Sequence, residues 1–113
     1  MKTLLASLCA SLCAFWLVAA VPASAQDATF RLVAKAGKFE PSSIEVPAGK
    51  RVFLEVVNEG PGAIEFESKD LKQEKVIPAG KSARITLNPM KAGTYRFFDE
   101  YHEATAKGTI VAK

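Results

Sequence analysis

Beyond its first 25 residues the chain contains no cysteine, since Cys9 and Cys13 both lie in the leader. The remaining 88 residues, Gln26 to Lys113, can therefore form no disulfide and offer no thiolate as nucleophile or metal ligand. There is one histidine, His102. No G-x-S-x-G elbow accompanies it, so a serine hydrolase site lacks its pattern. No glycine-rich loop joins a strand to a helix, which removes the cradles for phosphate and dinucleotide. No helical period persists over ten residues past the leader. Basic residues are scattered: without Lys2, fourteen Lys and Arg stand against twelve Asp and Glu, a net charge of +2. With no basic run and no interleaved aromatics, nucleic-acid binding has no footprint. Residue type alone leaves open a carboxylate pair for glycoside hydrolysis among Glu65, Glu67, Asp99 and Glu103, although so small a domain offers little cleft for a sugar chain.

The leader has the marks of a secretory signal. Lys2 supplies positive charge, Leu4 to Val21 is almost unbroken apolar sequence, and Ala23-Ser24-Ala25 is an A-x-A cleavage site. A single membrane anchor is the competing reading, because the apolar run approaches the roughly 20 residues that a spanning helix needs. Cys9 and Cys13 follow Leu8 and Leu12, not the small residues of a lipoprotein signal. The expected organisation is a signal at 1–25 and one exported domain at 26–113. A domain near this length buries roughly 60% of its unfolded surface, enough for one core and not for two.

Past the leader come short apolar-alternating runs between Pro and Gly turns, the signature of an all-β sandwich or barrel. Runs at Thr29–Ala34, Ser43–Val46, Arg51–Asn58, Ala63–Glu67, Glu74–Ile77, Ser82–Leu87, Thr94–Phe98 and Thr109–Val111 give seven to eight strands. Arg51–Asn58 is apolar on both sides at its centre and reads as a central strand. Phe53, Tyr95 and Phe97 are expected in the core. Alternation places Asp99 on the same face as Tyr95 and Phe97. A carboxylate sent toward a core is costly unless paired, hydrogen-bonded or bound to a metal. His102 follows three residues later. The same period sends Glu65 and Glu67 to one face, opposite Phe66.

Metal binding fits this residue set better than the enzymatic templates. Asp99, His102, Met90, Glu65 and Glu67 offer carboxylate, imidazole and thioether donors. Imidazole with carboxylates suits copper(II), iron or zinc, and a thioether favours copper(I). Each has a plainer reading. Met90 can plug the core above a turn, Glu65 and Glu67 can form a solvated strand face, Glu74 pairs with Lys75 at the surface, and Glu100 and Glu103 read as solubility charges.

The last stretch resembles the cupredoxins. Gly93, Tyr95, Phe97, Phe98, His102 and Gly108 hold their ligand-loop pattern, and Phe39, Pro41, Ile44, Val46, Ala48, Gly49, Asn58 and Gly60 hold the earlier motifs. The resemblance implies a Greek-key, cupredoxin-like β-sandwich. It also exposes departures. Asp99 stands where the copper-binding Cys belongs, carboxylate replaces the first His, and the tail after His102 lacks Met, so a blue-copper electron carrier is excluded. The E-F-E-S and F-F-x-E-x-H segments are similar to small periplasmic proteins of bacterial ferrous-iron uptake, of the FtrB kind, related to the N-terminal domain of EfeO. That likeness implies a copper or iron site in which Asp99, His102 and Glu65 or Glu67 are ligands, with Glu74 and Met90 weaker candidates. The implied role is oxidising Fe²⁺, or assisting its oxidation, for an inner-membrane iron permease of the Ftr type. A non-catalytic periplasmic copper carrier or resistance protein is the alternative. Mass spectrometry of the exported protein should show a chain that begins at Gln26; an intact leader would leave the anchor reading standing.

Overall fold

The computed structural model describes residues 27–113; the leader, with both cysteines and the expected cleavage site, lies outside the described residues. Nine strands follow in order: β1 (Thr29–Lys35), β2 (Lys38–Glu40), β3 (Ser43–Val46), β4 (Val52–Asn58), β5 (Ile64–Ser68), β6 (Gln73–Ile77), β7 (Ser82–Leu87), β8 (Gly93–Asp99) and β9 (Lys107–Ala112). One 3-10 turn, Glu100–His102, interrupts the passage from β8 to β9. The strands make two sheets, ordered β2-β1-β4-β7 and β3-β9-β8-β5-β6. β1 runs parallel to β4 and β3 parallel to β9, and the other pairings are antiparallel. The fold is the cupredoxin-like Greek-key sandwich.

The sequence reading misses only β2. Its three residues fold back on β1 through Ala36 and Gly37, whose φ angles are both positive at 52° and 69°. Such a two-residue turn matches the twist of an antiparallel pair. Arg51–Asn58 becomes β4, central in its sheet as expected. Phe53 is a correction. Val52, Leu54, Val56 and Asn58 are the buried residues of β4, so alternation turns Phe53 outward. There it lies half-buried beneath the guanidinium groups of Arg51 and Arg84, 5.6 and 4.8 Å from the ring centre. Tyr95, also expected inside, is half-buried against the core with its hydroxyl donating to the Lys91 carbonyl at 2.7 Å.

Two features fix the end of the sandwich where β8 meets its loop. Phe39 lies edge-on to Phe66 and Phe97, at 6.2 and 5.2 Å, while Phe66 stacks on Phe97 at 5.4 Å. Edge-to-face and offset-stacked geometry is favourable beyond the area buried. Asn58, also buried, donates to the Gly62 and Ile77 carbonyls at 2.8 and 3.0 Å and accepts from the Gly60 amide at 2.9 Å. That side chain holds the β4–β5 loop in one shape.

Gly108 of β9 lies opposite Phe97. A Cβ there would press into the Phe97 ring and sit 2.5 Å from the Ser42 carbonyl oxygen. Overpacking of this kind costs about 1–3 kcal/mol. Gly108→Ala should therefore lower unfolding free energy in urea by about 2–3 kcal/mol. Trimming the ring in a Gly108→Ala/Phe97→Leu protein should recover part of the loss relative to the sum of the single changes.

Candidate metal centre

The site grows from one carboxylate. Asp99 ends β8 and points inward, as alternation requires, and only 1% of its surface is exposed. Its Oδ1 accepts the Glu65 amide of β5 at 2.9 Å and the Tyr101 amide at 3.0 Å. The second of these caps the 3-10 turn, because a side-chain oxygen satisfies one of the orphan amides at a helical start. Oδ2 lies 2.6 Å from Nδ1 of His102. The buried charge is thus compensated by hydrogen bonds from three groups.

This arrangement changes the roles assigned from sequence. Asp99 and His102 do come together, but Asp99 is occupied as an orienting partner. His102 commits Nδ1 to Asp99 and keeps Nε2, with 45% of its side chain exposed. A carboxylate on one ring nitrogen with the other free is how metal-ligating histidines are usually held. Beside the pair lies a cavity of about 60 Å³, walled by the Lys35–Lys38 turn, the loop from Asn58 to Gly62, and Ala106. Gly37 packs near the edge of the His102 ring. A copper–thiolate centre does not fit this inward position. The thiolate is replaced by a carboxylate, a hard oxygen donor.

The carboxylates gather elsewhere. Ile64, Phe66 and Ser68 point into the core, so Glu65 and Glu67 emerge on the outer face of the second sheet. Only the backbone amide of Glu65 reaches Asp99, and its carboxylate is on the far side of the strand. There Glu65, Glu67 and Glu100 place one oxygen each within 4.8 Å of one another. Glu74 joins them from β6 as the cross-strand partner of Glu67, and it shares a hydrogen bond with Glu65. Glu65 is 8% exposed. The hydrogen bond with Glu74, burial, and the nearby Glu100 charge together push its carboxyl up to about 7. Glu67 is raised above the ordinary carboxylate range mainly by its hydrogen bond with Glu100. The Tyr101 hydroxyl is raised as well, by partial burial and by the Glu65 carboxylate it hydrogen-bonds. A cation set among these oxygens would favour their ionised forms and so oppose these shifts.

Met90 belongs to neither group. It is buried in the core at the β7–β8 connection, where its carbonyl accepts the Gly49 amide at 2.8 Å. The length of β8, Gly93–Asp99, separates it from Asp99. At about 3.3 Å per residue that is roughly 20 Å, too far for a shared metal. Glu100 and Tyr101 are what the sequence reading missed. Their signal was Asp99 as an N-cap residue, which ends the strand period and folds Glu100 back over β5.

The family model for the cupredoxin-like domain matches residues 7–112. The chain belongs to that family. An uncharacterized protein of Rickettsia prowazekii (strain Madrid E) is 37% identical over 81 residues, which are 72% of this chain. The chain spans 65% of that curated relative's length. Among solved structures, auracyanin B superposes with a TM-score of 0.68 at 18% identity, over 79% of this chain and 91% of that one. Auracyanin A, a blue copper protein of Chloroflexus aurantiacus, gives 0.67 at 13%, over 78% and 100%. The metal-binding domain of the Streptococcus pneumoniae Cu(I)-exporting P-type ATPase gives 0.67 at 15%, over 79% and 89%. At these identities the likeness establishes the fold.

The raised carboxyl has a consequence for the metal-free protein. A proton held more tightly in the folded state stabilises fully below the ordinary value of 4.5 and is lost as pH rises through about 7. The thermal midpoint should therefore fall between pH 4.5 and 7 in chelator-treated protein. Glu65→Gln, which titrates nowhere in that window, should flatten the profile.

Proposed function

We propose that the chain is a periplasmic, cupredoxin-like metal-binding protein that assists oxidation of Fe²⁺ and its delivery to an inner-membrane iron permease of the Ftr type, akin to proteins of the FtrB and EfeO kind. The observation that carries this reading is the buried Glu65 carboxylate converging with Glu67 and Glu100. Its ligands would be Glu65, Glu67 and Glu100, with Glu74 at the edge. Hard oxygen donors favour hard cations, and they favour Fe³⁺ over Fe²⁺. Binding at such a site lowers the iron potential and eases loss of one electron to an external oxidant. Asp99 is a positioning residue here: it fixes the turn that carries Glu100, and it orients His102. The exported location rests on the leader.

A second reading, a non-catalytic periplasmic copper carrier or resistance protein, has its own support. Asp99 holds His102 Nδ1 while Nε2 has no hydrogen-bond partner among the described residues, and proteins of the same fold include a blue copper protein and the metal-binding domain of a Cu(I)-exporting ATPase. In that case His102 would be the soft-metal ligand, and Asp99 would hold its tautomer. Copper, when bound, would supply one-electron chemistry that a carrier need not use.

Titrating the mature protein with Fe²⁺ and with Cu²⁺ under anaerobic conditions, then admitting oxygen, separates the two. Glu65→Gln/Glu67→Gln should weaken iron binding at least tenfold and slow Fe²⁺ oxidation to the protein-free rate. Oxidation at the wild-type rate in that variant would overturn the iron reading. Tight Cu²⁺ binding that His102→Ala abolishes, with no acceleration of Fe²⁺ oxidation, would establish the carrier.

A further inference from the structure

The outer face of the second sheet has a charge gradient written across its strands. At one level the cross-strand register runs Lys107 of β9, Phe98 of β8, Glu67 of β5 and Glu74 of β6. Phe98 divides a basic half from the acidic half already described. Over the basic half lies an open groove of about 610 Å³ lined by Lys69, Arg96, Lys107, Phe98 and Thr109, with Asp70 and Glu103 also in its wall. The Lys69 ammonium stands 5.7 Å from the centre of the Phe98 ring, which holds it over the groove floor. Asp70 is engaged: its Oδ2 accepts the Arg96 amide at 2.9 Å and Arg96 Nε at 3.3 Å, and Arg96 holds its carboxyl below the ordinary range. That contact fixes the guanidinium stem and leaves its terminal nitrogens to the groove, where 80% of the side chain is exposed.

We infer that this groove is an anion-binding subsite for a small multivalent oxyanion, a polycarboxylate or phosphate, placed so that the anion and a metal it chelates are taken together. The inference rests on the metal reading of the carboxylates for its second half only. Arg and Lys groups around an apolar floor suit a compact polyanion, the fork of Arg96 pairing with two oxygens while the ammonium groups act as point charges. Neighbouring strands lie about 4.8 Å apart, so Lys107 and Glu67 are roughly 10 Å from each other across Phe98. A small chelate spans that interval, with its anionic arms toward Lys69, Arg96 and Lys107 and its metal toward Glu67 and Glu100. A bare cation would use the acidic half alone. A chelate uses both, and the phenyl ring between them supplies contact without charge.

The test uses citrate, inorganic phosphate and ferric citrate as probes on the isotope-labelled, metal-free mature protein. Citrate or phosphate at millimolar concentration should shift the amide signals of Lys69, Arg96, Lys107 and Thr109, with an affinity that falls as salt is added. Lys69→Glu/Lys107→Glu should weaken that binding at least tenfold, whereas Lys69→Arg/Lys107→Arg should retain it. Ferric citrate should bind at least tenfold more tightly than citrate, and Glu67→Gln/Glu100→Gln should erase the difference while leaving citrate binding intact. If neither anion perturbs the groove, the subsite is wrong, whatever the iron titrations give. If citrate binds there but ferric citrate binds no more tightly, the coupling to the carboxylates is wrong. Failure of bare Fe²⁺ at the carboxylates, with citrate still held by the groove, would instead sink the iron reading and leave the anion subsite standing.

Discussion

The carboxylate of Asp99 is the constraint on which the rest of this end of the molecule depends. A buried charge survives only when hydrogen bonds replace its hydration, and here the donors come from three places in the chain. The Glu65 amide ties β8 to β5 where their register is short, with only Phe66–Asp99 and Glu67–Phe98 paired. The Tyr101 amide starts the 3-10 turn, and the His102 ring fixes where that turn ends. Removing the carboxylate would leave an unsatisfied amide and an undirected loop. Leaving one such buried group unpaired costs about 1–3 kcal/mol.

From that one residue follows the division of the chemistry between two sides of a sheet. In a cupredoxin-like fold the end of this strand is where a soft thiolate would face a histidine. With a carboxylate there, the inward position closes into a hydrogen-bonded pair beside a cavity of about 60 Å³. The same pair throws Glu100 over the outer face, where strand alternation has already delivered Glu65, Glu67 and Glu74. The acidic residues are drawn together by backbone geometry, and the hydrogen bond with Glu74, burial and the nearby Glu100 charge raise Glu65 to about 7. In the proposed reading that cluster takes a cation, and the groove across Phe98 takes an anion.

Much of this was legible before folding. The inward direction of Asp99 and the outward direction of Glu65 and Glu67 needed only the period of two. The all-β class needed only turn residues and alternation. Phe53 was misplaced because a large aromatic is expected inside, whereas its parity on β4 turns it out and two arginines cover it. Met90 was grouped with the other donors because sequence distance conceals the length of the intervening strand. Glu100 passed for a surface charge because the N-cap signal of Asp99 was not read, and only the fold shows which strand the capped turn lies over.

By itself, then, the sequence determined most of the strands and faces and the chemical type of each donor, because these depend on residue identity and on a period that does not vary. Only the tertiary structure decided which donors meet. That depends on the β5–β6 register and on the β5–β8 register, which the bond from the Glu65 amide to Asp99 closes across a sequence separation of 34. Registers are long-range facts. They separated Asp99 and His102 from the glutamates that one line of sequence had placed in a single site.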